Sequence, residues 1–100
     1  MKATALTGMV DYQAGSIVSK EIIKSAAGTV SLFAFDKGQG LSEHTAPFDA
    51  LVNVIDGQAE VRIAGAPFIV KAGEMIIMPA NKPHSLQANE RFKMLLILVK

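Results

Sequence analysis

The chain has 100 residues, half of them apolar, and a formal charge of +1 at pH 7. This length and composition suit one compact domain, residues 1–100, whose core is large enough to fold without disulfides or a structural metal. The nearly balanced charge gives no excess of basic residues of the kind that binds nucleic acid or an anionic membrane surface. The absence of cysteine excludes disulfides, thiolate metal sites and thiol nucleophiles.

The start of the chain, MKATALTGMVDYQAGS, mixes polar residues with short apolar ones and has no continuous apolar segment of the kind found in a secretory signal. The longest apolar run, residues 94–99, has six residues. A membrane-spanning helix needs about 20. We therefore expect a cytoplasmic protein with neither a membrane nor a nucleic-acid partner.

Short apolar runs, rich in β-branched and aromatic residues and bounded by Gly, Pro, Asn or Asp, recur along the chain. No segment shows helical periodicity over a useful length, so the pattern predicts an all-β fold, a barrel or a sandwich of short strands. The predicted strands are residues 16–24, 29–35, 51–55, 59–63, 68–71, 74–78, 84–88 and 91–99.

Three of these strands are predicted to form a meander. Asp56-Gly57 has the composition of a hairpin turn and would join residues 51–55 to residues 59–63. A second turn, residues 64–67, would lead into residues 68–71. The second half of the last strand is apolar on both faces, which requires a covering layer on each side. A second subunit would supply that layer, so the sequence favours a homodimer.

The only two histidines, His44 and His84, lie in glycine- and proline-punctuated segments that are predicted to be facing strands. The segments have the patterns Gly38…His44-Thr45-Ala46…Ala50…Gly57 and Gly73-x5-Pro79-x-Asn81-x2-His84-x3-Ala88. They resemble the two signature motifs of the cupin superfamily, over residues 38–57 and 73–88. The resemblance implies a single-domain cupin-like β-barrel, that is, a double-stranded β-helix or jelly roll.

Carried over residue by residue, the resemblance places His44 and His84 in the slots of the first and last metal-binding histidines. Ala46 and Ala50 stand where a second histidine and a glutamate belong, and Asn81 replaces a turn glycine. Zn²⁺ and Fe²⁺ generally need three or four protein donors. The implied metal ligands are thus His44 and His84 alone, which would hold a divalent metal (Zn, Fe, Ni or Mn) only weakly.

Small side chains beside two imidazoles leave space, so the motifs also predict a small-molecule pocket in the barrel interior. The predicted ligand-binding residues are His44, His84, Ala46, Ala50, Phe48, Met75, Phe92 and Met94. Further candidates for the wall are Val52, Val54, Ile77, Leu86 and Leu96.

Three functions compete at this point. The favoured one is a module that binds a small molecule near His44 and His84. The alternative is a metal-dependent cupin enzyme of the oxygenase, isomerase or decarboxylase type with a two-histidine open metal site, or a variant in which one imidazole acts as a general base. The third is an interaction domain whose interior is filled by its own side chains.

Overall fold

The computed structural model describes residues 2–100 and consists mainly of β-strands, so the all-β prediction is confirmed. Within these residues the strands are β1 (Ile17–Ser25), β2 (Gly28–Phe35), β3 (Gly40–His44), β4 (Asp49–Ile63), β5 (Ala66–Lys71), β6 (Met75–Met78), β7 (His84–Gln87) and β8 (Phe92–Val99). A 3-10 turn, Leu6–Gly8, precedes them. In the part of the chain that is described, no helix has the length and apolar character needed to cross a membrane.

The strands pair antiparallel in one curled sheet with the order β1-β2-β8-β4-β7-β3. Strands β5 and β6 also pair with β4. The first half of β4 pairs with β8 and β6, and its second half pairs with β5 and β7. Because one strand serves both parts of the sheet, the sheet closes around a single interior.

One end of this interior is filled by large apolar side chains. Phe35 and Phe92 are fully buried, and their rings stack with centroids 4.5 Å apart. Val52, Val54 and Val61 of β4 are fully buried in the same cluster. We call this region the packed end of the barrel.

The hairpin predicted at Asp56-Gly57 is wrong, because β4 continues through these residues as one strand of 15 residues. A β-bulge shifts the register of β4 against β8 between Val54 and Asp56, and Gly57 has φ +70°. The bulge also changes which residues of β4 face the interior. The buried residue before it, Val54, has an even number, whereas the buried residue after it, Ala59, has an odd one. Asp56-Gly57 therefore correctly indicates a residue with positive φ, but this residue lies beside a β-bulge and not in a hairpin turn.

The predicted meander is wrong for the same reason. Residues 51–55 and 59–63 belong to one strand and cannot pair with each other. Only the second pairing exists, between the end of β4 and β5. By contrast, β1 and β2 agree with the predicted strands 16–24 and 29–35 and are joined by a tight turn, since Ser25 pairs with Gly28. Asn81 has φ +65°, as its replacement of a turn glycine suggested.

The outer face of β8 is covered in part by the N-terminal segment of the same chain. Val10 is buried in a second apolar cluster with Leu32, against which Leu95 packs. The Nζ of Lys93 donates to the carbonyl oxygen of Thr7 at 2.6 Å. The sequence assigned this covering layer to a second subunit, whereas the chain itself supplies part of it. The homodimer stays a prediction.

Candidate functional site

The two histidines lie at the adjoining ends of neighbouring strands. His44 is the last residue of β3, His84 is the first residue of β7, and the two are direct cross-strand partners. Both segments are strands, as predicted, but the strands pair side by side in one sheet and do not face each other across the interior. His84 is 4% exposed, whereas His44 is exposed. The pair thus reaches from the barrel interior to its surface.

The imidazole rings meet edge to face, with their Nε2 atoms 3.1 Å apart and their planes at 71°. On the far side of each ring, Nδ1 lies close to a backbone carbonyl oxygen two residues earlier in the chain. The distances are 2.8 Å from His44 to Ser42 and 3.1 Å from His84 to Lys82. A carbonyl oxygen can only accept, so each Nδ1 that bonds to one does so as a donor, and the third short contact joins the two Nε2 atoms.

The surroundings of His84 favour its neutral form. Burial lowers the pKa of His84 below its ordinary value of 6.5, the Lys82 carbonyl that accepts from Nδ1 raises it in part, and positive charge on His44 lowers it further. The largest of these effects is burial, because an imidazolium in an apolar wall loses its hydration.

This lowered pKa makes stability depend on pH. Between the unfolded pKa near 6.5 and the lower folded value, the unfolded chain binds more protons than the folded one, so the free energy of unfolding falls as pH drops. One proton is involved, which limits the slope to about 1.4 kcal/mol per pH unit. We expect urea unfolding at pH 8, 6.5 and 5.5 to show this loss, and to show less of it for His84→Gln. Equal pH profiles for the two proteins would contradict it.

A cavity of about 140 Å³ adjoins the histidine pair, and several residues of its wall belong to the same apolar cluster as the packed end. Its wall consists of Leu41, His44, Ala46, Ala50, Met78, His84, Leu86, Met94, Leu96 and Leu98. The two imidazoles are the only polar side chains in this wall, and no charged side chain among the described residues joins them. The cavity is accordingly an apolar chamber with hydrogen-bonding atoms at one place.

Most of the predicted wall residues lie on this cavity. His44, His84, Ala46, Ala50 and Met94 all contribute to it. The further candidates Leu86 and Leu96 also do. Sequence alternation found them because β7 and β8 are regular strands, in which every second residue faces the interior.

Three predicted ligand-binding residues need correction, because the structure places them away from the cavity. Phe92 faces the interior but is stacked on Phe35 in the packed end. Met75 is 54% exposed on the outer side of β6. Phe48 is half-buried beneath Lys100, whose Nζ lies 5.5 Å from the ring centroid.

Among the further wall candidates, Val52 and Val54 belong to the packed end and Ile77 is 41% exposed. The error at Met75 and Ile77 has one cause. The strand Met75–Met78 contains only apolar residues, so no polar residue shows which face is inside.

Sequence analysis missed Leu41, Met78 and Leu98 as wall residues. Met78 is the buried last residue of β6, the strand in which the sequence assigned the wrong face to the interior. Leu98 continues the face of Met94 and could have been found from that periodicity. Leu41 could not, because a bulge between Leu41 and His44 brings two residues of opposite alternation to the same interior.

The residues present do not fit a metal held by the protein. Asp49, the carboxylate nearest the glutamate slot, accepts a hydrogen bond at 2.8 Å from the backbone N–H of Ala80 and is not on the cavity wall. Glu43 lies in a separate outer depression with Glu60 and Arg62. Within residues 2–100 no three His, Cys, Asp or Glu side chains are grouped as a metal site would require. Two imidazoles fall short of that donor set.

Comparisons with known proteins agree with the fold and the motif spacing. A curled antiparallel sheet of eight strands that encloses one interior is a small jelly-roll barrel. The family profile described as "Cupin domain" matches residues 31–99, so the chain belongs to the cupin family. The prediction from the two motifs is confirmed. A comparison with curated proteins found no match.

Solved structures of several bacterial proteins are similar to this chain. A conserved protein of unknown function from Streptococcus pyogenes is 36% identical over 99% of this chain and 87% of that one, with a TM-score of 0.95. A cupin 2 conserved barrel domain protein from Leptotrichia buccalis is 48% identical with a TM-score of 0.91, over 94% of this chain and 46% of that one. This chain therefore spans about half of the Leptotrichia protein. A cupin superfamily protein from Desulfitobacterium hafniense is 24% identical, with a TM-score of 0.93, over 98% of this chain and 90% of that one.

Proposed function

We propose that this protein binds a small, largely apolar molecule inside the barrel, with the polar end of that molecule against His44 and His84. The observation that carries the proposal is the cavity of about 140 Å³ whose only polar side chains are two imidazoles in contact. A pocket lined by apolar side chains with a few convergent polar atoms is typical of small-molecule sites.

The volume limits the size of the ligand. An engineered apolar cavity of about 150 Å³ in another protein stays dry and binds benzene. Pockets for drug-sized ligands measure about 300 Å³ or more. The cavity here, about 140 Å³, therefore suits a molecule of one ring or a short branched chain.

The wall chemistry argues against sugars and strongly charged metabolites. A sugar carries several hydroxyl groups, and each would lose its hydrogen bonds to water unless the wall replaced them. The wall offers two imidazoles and otherwise hydrocarbon or thioether side chains. A molecule with one polar group is the better fit.

Binding of toluene, followed by NMR chemical shifts in the unmodified protein, tests the proposal. We expect saturable shifts at cavity residues such as Met94 and Leu98. Ala46→Leu should weaken binding by at least roughly tenfold, because a larger side chain on the wall takes up space that the ligand needs. Ala66→Leu is the matched control, since Ala66 is exposed on β5, and it should leave binding unchanged.

Two results would contradict the proposal. One is the absence of toluene-dependent shifts at the cavity wall in the unmodified protein. The other is equal toluene affinity in Ala46→Leu and Ala66→Leu, which would place the ligand outside the cavity. Thermal unfolding of each variant confirms that it is folded before binding is compared.

A further inference from the structure

A row of five apolar side chains crosses the outer face of one half of the sheet. Its members are direct cross-strand partners on β1, β2, β8, β4 and β6, in that order: Ile23, Val30, Ile97, Leu51 and Ile77. Cross-strand partners project from the same face of a sheet. The residues on either side of Ile97, Leu96 and Leu98, line the cavity, so the five side chains face outward. We call them the outer row.

The outer row remains accessible in the single chain. The N-terminal segment covers only an adjacent part of this face, around Leu95. At the two ends of the row, Ile23 is 58% exposed and Ile77 is 41% exposed, and the three residues between them are half-buried. Val99 and Met75, which flank the row, are exposed as well. A continuous apolar surface of this kind is typical of an interaction site.

We propose that a second copy of this chain packs on the outer row, with the two-fold axis of the dimer running along β8 between the two sheets. β8 is the middle strand of the five, so this axis exchanges the two sides of the face. Ile97 then meets Ile97 of the second copy. Beside the axis, Val30 lies opposite Leu51. At the ends of the row, Ile23 lies opposite Ile77. A symmetric dimer requires a surface that matches itself in this way. The inference is independent of the proposed binding function.

The area of the face is close to what a dimer needs. Strands lie about 4.8 Å apart and side chains on one face repeat about every 6.8 Å, so five strands and three rows of side chains cover roughly 450 Å². Specific interfaces bury at least about 600 Å² per subunit, with an apolar centre and a polar rim. The outer row, Val99 and Met75 supply the apolar centre, and the charged residues around them supply the rim.

Charges at the edges of the face are complementary under this symmetry. In the row next to the outer row, Lys20 of β1 stands at one end and Met75 of β6 at the other. The exposed residue Glu74 directly precedes Met75. Because the two-fold axis exchanges the two ends, Lys20 of each copy lies at the edge where the other copy carries Glu74. Opposite charges at the rim favour this orientation of the two copies.

Pairing of two β1 edges is the other way in which two copies could associate. Among the described strands, β1 pairs with β2 alone, so its second edge is free. That edge has a β-bulge between Glu21 and Ile23 and two exposed lysines, Lys20 and Lys24. Bulges and lysines are features by which proteins prevent strand addition at a sheet edge. The outer face is therefore favoured over the edge.

Ile77→Glu tests the face, and Ile69→Glu is its matched control. The two isoleucines are similarly exposed, at 41% and 48%, but Ile69 lies on β5, outside the five strands of the outer row. Sedimentation velocity of the unmodified protein should show a dimer at micromolar concentration. We expect Ile77→Glu to weaken dimerisation at least roughly tenfold, because the dimer must bury a carboxylate against Ile23. Ile69→Glu should leave the dissociation constant unchanged.

Cross-linking tests the axis, since the chain contains no cysteine of its own. Ile23→Cys and Ile77→Cys are treated with a bis-maleimide that spans about 10 Å, the distance between two packed sheets. We expect a mixture of the two variants to form cross-linked dimers. Each variant alone should form few, because its two cysteines would lie about 20 Å apart on opposite sides of the face.

Each contrary outcome has a definite meaning. An unmodified protein that is monomeric throughout the micromolar range would overturn the inference. Equal dimerisation of Ile77→Glu and Ile69→Glu would place the contact on another surface. Efficient cross-linking of Ile23→Cys alone would indicate paired β1 edges or a different axis, and would overturn the proposed arrangement. Thermal unfolding shows whether each variant is folded, and if Ile77→Glu is not, the cross-linking result decides. The proposed binding function stands or falls separately, by the toluene titration.

Discussion

Replacing Phe92 by alanine is expected to lower the free energy of unfolding by about 3–5 kcal/mol. Phe92 is fully buried and stacked on Phe35 with ring centroids 4.5 Å apart, so truncation leaves a void in the packed end that rigid strands cannot close. Domains of this size are stable by about 5–15 kcal/mol, so the loss is a large share of the total. Urea unfolding followed by circular dichroism measures it.

Phe68→Ala is the matched control, because Phe68 is 44% exposed on β5. It should change the free energy of unfolding by less than about 1 kcal/mol. A Phe92→Ala protein that kept its stability but lost toluene binding would contradict the structural assignment. It would return Phe92 to the ligand site in which the sequence had placed it.

Gly57→Ala is expected to cost more than about 2 kcal/mol. A left-handed φ costs a residue with a side chain about 1–2 kcal/mol, and Gly57 has φ +70°. An alanine Cβ at this position would also overlap the backbone carbonyl oxygen of Arg91. Because that oxygen belongs to the main chain, the bulge itself must move. Thermal and urea unfolding measure the loss.

Gly73→Ala separates the two causes. Gly73 has φ +88°, but no heavy atom lies within 4 Å of a Cβ placed there. This variant should therefore show only the cost of the backbone conformation. Equal losses for Gly57→Ala and Gly73→Ala would mean that the approach of β4 to Arg91 does not constrain the bulge.

The class of fold could be predicted from the sequence because strand periodicity and turn residues are local properties. The connection between strands was harder. A positive φ at Gly57 serves a hairpin or a bulge equally well, and only the pairing partners of β4 decide between them. The structure records the change, since Ala50, Val52 and Val54 are buried on even numbers, whereas Ala59 and Val61 are buried on odd ones. The sequence hides it, because Leu51 and Ile55 are also apolar. A change of alternation without a break in the strand indicates a bulge.

In the candidate site, too, the features that are local in the sequence could be predicted, whereas those that depend on strand pairing and packing could not. The motif spacing brought His44 and His84 together, although on paired rather than facing strands, and β7 and β8 are regular enough for alternation to find wall residues. Leu41 was out of reach because its orientation depends on a bulge in β3. Phe92 was misplaced because alternation shows which face a residue occupies but not how far along the barrel it lies. The boundary between the packed end and the cavity depends on three-dimensional packing.

The two short contacts from Nδ1 to the chain's own carbonyls have a consequence for binding affinity. Each imidazole is held by the backbone of its own strand, at Ser42 for His44 and at Lys82 for His84, so neither ring relies on the other for its rotamer. The proposed ligand would thus meet two imidazole rings that are already oriented. The ligand proposed above would therefore lose little of its binding free energy to restricting the motion of these two side chains.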